Sequence, residues 1–277
     1  MLYLVSTPIG NLGDISLRAK EVLQQADLVA CEDTRTSRQL FNLLGIKVKA
    51  TTAYHDHNAD EARPKLIEKM KKGACVALVS DAGTPLVSDP GYKLVRDCHK
   101  EHIKVSTVPG ANAVLSALQL SGLSSASFYF GGFLPTKSGT RKEHLAQVKD
   151  LKSTLIFYES PNRLLKALSD ILTIYGNREM AVVREITKKF EETKKETVEH
   201  LIAEYTTNGT PKGELVLVIE GATQEQTHPV HNWEKLIQSV RPTYPVKQAA
   251  QILSEQTGHN KKEIYQMIVS YEKENKL

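Results

Sequence analysis

The sequence predicts an α/β protein built as two α/β domains followed by a small C-terminal helical module. Three observations lead there. Short apolar runs alternate with helix-like stretches from the first residues onward, the pattern of a mostly parallel sheet with helices on its faces. Several of these runs end in loops rich in Gly, Pro, Asp, Ser and Thr. The alternation restarts after a hinge-like Phe128–Pro135 segment, and it gives way to two helical periods beyond a polar stretch.

Taken in order, Met1 to Ser6 reads as a strand, and Ser16 to Gln25 reads as a helix. Apolar runs at Leu28 to Cys31, Cys75 to Val79 and Ile103 to Val108 have the length of buried strands, with a helical stretch from Ala59 to Lys72 among them. An apolar helical pattern then runs to Leu120. We place the first domain at residues 1–122 and the second at 123–222. The second has strands near Ser153 to Tyr158, Ala181 to Arg184 and Leu215 to Ile219, and helices near Asn162 to Tyr175 and Val198 to Thr206. Thr223 to Pro229 reads as a linker. In the module at 230–277, Pro245 to Glu255 and Asn260 to Lys273 are helical and are joined by a Gly-containing turn, which suggests helix-turn-helix geometry. Asn260 and Glu263 have capping-box spacing, as do Asn58 and Glu61 ahead of the Ala59 helix. A helical hairpin that only packs on a neighbour is the other reading of this pair.

Composition narrows the function classes. The chain has 277 residues, a formal net charge of +4 and three cysteines with no C-x-x-C pair. It contains no apolar run of transmembrane length and no basic leader, so a reducing cytosol is expected. So small a charge rules out a polybasic tail, and any nucleic-acid contact has to come from local patches. A metal is not expected: the Tyr54-His55-Asp56-His57-Asn58 polarity is accounted for by a cap, and Cys98 with His102 lacks a second ligand pair.

The loops at the strand ends carry the chemistry. The longest is Ser80-Asp81-Ala82-Gly83-Thr84-Pro85-Leu86-Val87-Ser88-Asp89-Pro90-Gly91, directly after a buried-strand pattern. Two prolines stiffen it and two glycines free the backbone, leaving peptide groups to face a ligand where open α/β sheets bind one. Thr7 to Asp14 and Pro109 to Ala113 follow other strands in the same way, which suggests one shared pocket. Neither the dinucleotide fingerprint nor the P-loop pattern occurs, so NAD and ATP lose support.

These segments, together with Cys31-Glu32-Asp33-Thr34-Arg35, Phe133-Leu134-Pro135, Phe157-Tyr158-Glu159-Ser160-Pro161-Asn162-Arg163, Arg184-Glu185-Ile186-Thr187-Lys188 and Gly213-Glu214, resemble the ribosomal RNA small subunit methyltransferase I family, in order from Met1 to about Gly221. The resemblance implies the tetrapyrrole-methylase fold, with S-adenosylmethionine held between the two α/β domains. It implies methyl transfer to a cytidine ribose 2′-hydroxyl in the decoding region of 16S rRNA, by a homodimer; we expect a cytoplasmic protein acting on the assembled small ribosomal subunit, with naked RNA as the other acceptor left open. The C-terminal helices resemble the module attached to that family.

A sulfonium loses its charge on transfer, so a dry Gly/Pro-lined pocket suits the reaction better than a carboxylate cluster. We expect cofactor contacts at Pro8, Gly10, Asp81, Ala82, Gly83, Thr84, Pro85, Gly110 and Ala111, and on the matched second-domain segments at Tyr158, Ser160 and Gly213. Asp81 has an alternative reading as a turn former. A ribose hydroxyl is a weak acid and calls for a base or a polarising contact. Among Glu32, Asp33, Glu159 and Glu185, we rank Asp33 and Glu185 first, because Arg35 and Lys188 lie near them; structural ion pairs are the other reading. Lys188 joins them as a candidate for orienting the carboxylate or holding phosphate. RNA contact is expected at Arg35, Arg38, Lys137, Arg141, Lys142 and Lys189. The cations from Arg184 to Lys195 alternate with glutamates and also read as a solvated face. Two rival functions stay open here: a same-fold methylase of a tetrapyrrole or other small acceptor, and a non-enzymatic ribosome-assembly factor that binds RNA.

Overall fold

The computed structural model describes residues 1–222, 233–257 and 261–274. They form two compact units, Met1–Gly221 and Ala222–Leu277.

The first unit starts with β1 (Leu2–Val5), α1 (Leu17–Gln25), β2 (Leu28–Cys31), α2 (Thr34–Leu44), β3 (Thr51–Ala53), α3 (Ala59–Lys71), β4 (Val76–Val79), α4 (Tyr92–Lys100), β5 (Val105–Val108) and α5 (Ala113–Ser121). Its sheet is parallel throughout, in the order β3-β2-β4-β1-β5. Val76-Ala77-Leu78-Val79 is buried along its whole length because both faces are covered, as parallel sheets require. Leu2 and Leu78 pack with Leu66 and Leu94 on one face; Val5, Val29 and Val79 pack with Leu23 and Phe41 on the other. Since β1 lies between β4 and β5, the loops leaving these three strands emerge side by side.

The chain then builds β6 (Phe128–Phe133), α6 (Ser138–Val148), β7 (Thr154–Glu159), α7 (Leu164–Tyr175), β8 (Glu179–Arg184), β9 (Glu192–Thr197), α8 (Val198–Asn208) and β10 (Leu215–Ile219). This second sheet, ordered β6-β7-β10-β8-β9, is parallel only at β6–β7 and antiparallel elsewhere. One face packs on α6, α7 and α8 through Leu145, Phe157, Leu168 and Leu201. The other meets α5, where Val114, Ala117 and Leu118 cover Ile156, Val183 and Val216. The division expected at 122/123 therefore separates two sheets that share one compact unit, with the last helix of the first part buried against the second sheet.

Two local expectations are corrected. The alternating charges beyond Arg184 include a strand: β9, Glu-Thr-Lys-Lys-Glu-Thr, closes the edge of the sheet, and its charges pair as Arg184–Glu192 (3.2 Å) and Lys195–Glu179 (3.0 Å). A charged edge strand discourages pairing with another chain. Asn58 makes no side-chain cap of α3. Its side-chain Oδ1 accepts from His55 N (2.9 Å) and its side-chain Nδ2 donates to Ala53 O (3.0 Å), which shapes the turn before the helix.

The second unit contains α9 (Trp233–Val240), α10 (Val246–Thr257) and α11 (Lys261–Glu274). Ile237, Ala249, Leu253, Ile264 and Ile268 form its core, and Trp233 packs against it. The sequence pattern does not announce the first of these helices. The linker at Thr223 to Pro229 and the Asn260 cap lie outside the described residues.

Candidate functional site

The three neighbouring loops are stitched together. Thr7 and Gly83 exchange backbone hydrogen bonds (Thr7 N to Gly83 O, 2.9 Å; Gly83 N to Thr7 O, 3.1 Å). Thr84 Oγ1 donates to Ala111 O (3.1 Å), and Thr7 Oγ1 donates to Ser80 O (3.3 Å). Close approach requires Gly110, where a Cβ would stand 2.9 Å from that of Ser6. Farther along, Leu86 (φ 74°) and Ser88 (φ 67°) occupy the left-handed region, a costly backbone conformation that functional loops retain.

A cavity of about 340 Å³ opens between this wall and the second sheet. That is within the roughly 300–1,000 Å³ of small-ligand sites. Ala82, Gly83, Thr84, Val87, Ser88 and Asp89 line it from the loop after β4, and Asn112 and Ala113 from the start of α5. The second sheet contributes Phe133, Tyr158, Glu159, Ser160 and Pro161 from the ends of β6 and β7, and Gly213 to Val216 at the start of β10. Of the twelve cofactor residues expected, Ala82, Gly83, Thr84, Tyr158, Ser160 and Gly213 lie on this lining. Pro8, Gly10, Asp81, Pro85, Gly110 and Ala111 are not on this lining.

Glu185 and Lys188 brace the rim. Glu185 (φ 48°) turns its Oε1 to accept from Glu214 N (3.0 Å) and from Lys188 Nζ (3.0 Å), and Lys188 also reaches Glu214 Oε2 (3.0 Å). Gly213 (φ +97°) makes room: a Cβ there would lie 2.5 Å from the Glu185 carboxyl carbon. At Gly10 a Cβ would lie 2.4 Å from Lys188 Cγ, so the brace also touches the loop after β1. The Glu214 N–H, then Lys188, holds the Glu185 carboxyl below its ordinary value. Burial works against the Lys188 charge, but Glu214 and Glu185 outweigh it and raise its pKa.

Asp33 makes the ion-pair contacts that were its other reading. It caps α2, accepting from Arg35 N (2.7 Å), and pairs with the Arg35 guanidinium (2.7 Å). These contacts bring its pKa down to about 2. A carboxylate so stabilised is a poor proton acceptor. Its backbone N–H donates to Asp81 Oδ1 (3.1 Å), and Asp81 N donates to Glu32 Oε2 (3.3 Å), so Asp81 joins the ends of β2 and β4. Burial raises the carboxyls of both Glu32 and Asp81. Glu159 is fully buried and held by Ser160 N (2.7 Å) and Arg163 (2.7 Å).

Asp89 is a residue that sequence reasoning passes over. It lies on the cavity wall. Burial pushes its carboxyl up to about 6; a Ser80 hydrogen bond opposes this, and the charges of Glu32 and Asp81 add to it. Burial also lifts the Tyr158 hydroxyl to about 12, with Asp89 and Glu214 adding to the effect. The signal is present in the Ser80–Gly91 loop, but no sequence pattern says which of its two aspartates faces inward.

Of the cations expected on RNA, Arg35, Arg38, Lys137 and Lys189 are exposed. Arg141 is not: its side chain is 2% exposed and pairs with Asp170 (2.6 Å), and its guanidinium also donates to Pro135 O and Thr136 O (3.0 and 3.2 Å). Lys142 faces the same Asp170 at 3.5 Å. Arg141 is thus an internal strut of the β6–α6 connection. Among the described residues, no group of three or more His, Cys, Asp or Glu is placed to hold a metal ion.

Two α/β layers with a ligand cavity between their strand ends define a class. Residues 1–202 match the family described as Tetrapyrrole (Corrin/Porphyrin) Methylases. Solved structures agree on the fold: diphthine synthase superimposes with a TM-score of 0.62 at 17% identity, over 80% of this chain and 90% of that one. Cobalt precorrin-4 methyltransferase does so with 0.56 at 21%, over 78% and 93%. Ribosomal RNA small subunit methyltransferase I of Mesorhizobium japonicum is 47% identical over 269 residues, 97% of this chain and 91% of that protein. Its counterpart in Pasteurella multocida is 44% identical over 271 residues, 96% and 95%. The chain belongs to the tetrapyrrole methylase family, and within it to the ribosomal RNA small subunit methyltransferase I group.

Proposed function

We propose that this protein transfers a methyl group from S-adenosylmethionine to the ribose 2′-hydroxyl of a cytidine in 16S rRNA, acting on the assembled small ribosomal subunit as a cytoplasmic homodimer. The observation that carries this reading is similarity over nearly the whole chain to proteins named for small-subunit rRNA methylation, joined to a cavity of the right size at the strand ends. The residues present fit the donor. Ala82, Gly83 and Thr84 form one wall, Leu215 and Val216 are apolar on the other, and Gly213, lacking a side chain, lets Glu185 pack directly against the rim. When bound, the donor supplies an electrophilic methyl carbon. The protein's part is to hold it dry, to align the acceptor oxygen about 3 Å from that carbon, and to take the hydroxyl proton.

We assign that proton to Asp89, because it is the carboxylate of the β4 loop on the cavity wall, whereas Asp33 and Glu185 are locked in ion pairs off the lining and Glu159, on it, is held by Arg163 and Ser160 N. Burial keeps Asp89 basic enough to serve, near the operating pH. Glu185 and Lys188 act as positioning residues for the Gly213 rim. Arg35, Arg38, Lys137 and Lys189 offer exposed charge for phosphate, and Lys142 a partly covered one. Small subunits from a strain lacking this protein, incubated with methyl-labelled donor, are expected to take up label on a cytidine 2′-oxygen of 16S rRNA. Label on a porphyrin-like acceptor and none on subunits would overturn the assignment.

A further inference from the structure

β6 contains an irregularity with a directional consequence. Phe130 pairs with Ile156 and Phe133 with Tyr158, so three steps on β6 oppose two on β7. Without the extra residue, alternation would put Phe133 on the opposite face from Phe130. With it, both phenylalanines lie against Tyr158, with ring centroids 5.0 and 5.1 Å away. The sequence Phe130-Gly131-Gly132-Phe133 permits this. A Cβ at Gly131 would strike Phe157 at 2.3 Å, and Gly132 takes φ +69° beside Ser88 of the cavity loop. Bulges next to active sites re-aim a side chain in this way.

The side chain so aimed is unusual. Phe130 is partly buried in the core between the sheets, but Phe133 is 61% exposed while lining the cavity. Leu134, its neighbour, is fully buried, and Arg163 and Arg141 hold the following backbone at Leu134 O (3.4 Å), Pro135 O and Thr136 O. The ring is therefore mounted on a stiff support. It shares the cavity wall with Asp89, and the exposed Lys137 follows four residues on. An open aromatic face at the mouth of a methyl-transfer cavity, with a cation close in the chain, is what an unstacked nucleobase needs.

We propose that Phe133 is the stacking platform for the target base, and that the bulge in β6 exists to present it. The inference rests on the rRNA reading above and assigns part of its acceptor site. The test uses the full-length protein with Phe133→Tyr, Phe133→Leu and Phe133→Ala. For each, methyl-transfer kinetics on small subunits, calorimetric binding of S-adenosylhomocysteine, and sedimentation are measured. Tyr should keep wild-type kinetics. Leu and Ala should raise KM for subunits by about tenfold to a hundredfold, with S-adenosylhomocysteine binding and oligomeric state unchanged. Leu performing as well as Phe would show generic apolar packing and overturn the proposal. Loss of S-adenosylhomocysteine binding would place the ring on the donor instead, and a changed oligomeric state would place it in a subunit interface; either overturns it too. Failure of the rRNA reading itself would show separately, as no label on subunits with the wild-type protein.

Discussion

Replacing Arg141 separates the structural account from the one the sequence first suggests. An RNA-contacting arginine would lower subunit affinity and leave stability alone. The structure predicts the reverse order of effects. Arg141 and Asp170 are 2% and 8% exposed at their side chains, and the guanidinium lies 2.8 and 2.6 Å from the Asp170 carboxylate. Arg141→Met fills the space and removes the charge, leaving Asp170 with the Ser138 hydroxyl (2.9 Å) and Lys142 at 3.5 Å. Breaking a buried pair from one side costs about 3–5 kcal/mol. Lys142 compensates in part, so the lower end, about 3 kcal/mol, is the expected loss. For a unit of this size that is a fall in Tm of about 6–12 °C. Although burial alone would raise it, Ser138 and Arg141 hold Asp170 below the ordinary 3.8. A depressed carboxylate stabilises the fold above its unfolded pKa and stops doing so as pH falls through the folded value. The gap between wild type and variant should therefore narrow below about pH 4. The assay is urea or thermal unfolding from pH 3 to 8, with Arg141→Met/Asp170→Leu as the control that removes both charges. A single variant within about 1 kcal/mol of wild type at neutral pH, as surface pairs are, would refute the argument.

Three further outcomes follow from the site. Asp89→Asn should lower single-turnover methyl transfer about a hundredfold or more and abolish a rise in rate through about pH 6 that the wild type shows; an unchanged pH profile would return the base to another group. Because that carboxyl is raised from 3.8, its ionisation opposes folding above about 6 and not below 3.8, so Asp89→Asn should be the more stable protein at neutral pH. Gly213→Ala forces a side chain into a backbone at φ +97° and against Glu185; a loss of about 1–3 kcal/mol in stability and weaker S-adenosylhomocysteine binding are expected by calorimetry, and wild-type binding would detach Gly213 from the donor site. Lys137→Ala with Lys189→Ala should raise KM for subunits and flatten the salt dependence by about 0.7 for each phosphate no longer neutralised; an unaltered slope would mean RNA passes elsewhere.

Much of this arrangement is legible from local chemistry. Val76 to Val79 had to be a buried strand, and a Gly/Pro loop after it had to face outward at the sheet's carboxyl end. What the residues do not announce is which strands are neighbours. β1, β4 and β5 are far apart in sequence, and only their adjacency makes one wall from three loops. The antiparallel second sheet is hidden for a related reason: β9 carries four charges in six residues, and its strand state is imposed by pairing with β8 rather than by its own propensity.

The charged residues show the same limit more sharply. Arg35 and Arg141 each sit near acidic or polar neighbours in the chain, yet one is exposed beside the site and the other is sealed in a helix–sheet core. Nothing within a few residues distinguishes them; Asp170, the partner that buries Arg141, arrives from α7, 29 positions away. Asp89 and Asp81 differ likewise. Both punctuate one loop, but the left-handed turns at Leu86 and Ser88 carry the chain around so that the second aspartate meets the cavity and the first meets β2. Sequence chemistry thus points to the loop that lines the cavity, whereas the role of each side chain within it depends on backbone geometry set by long-range packing. That is why the base we propose is Asp89, in the loop after β4, whereas the residues alone ranked Asp33, at the end of β2, among the first.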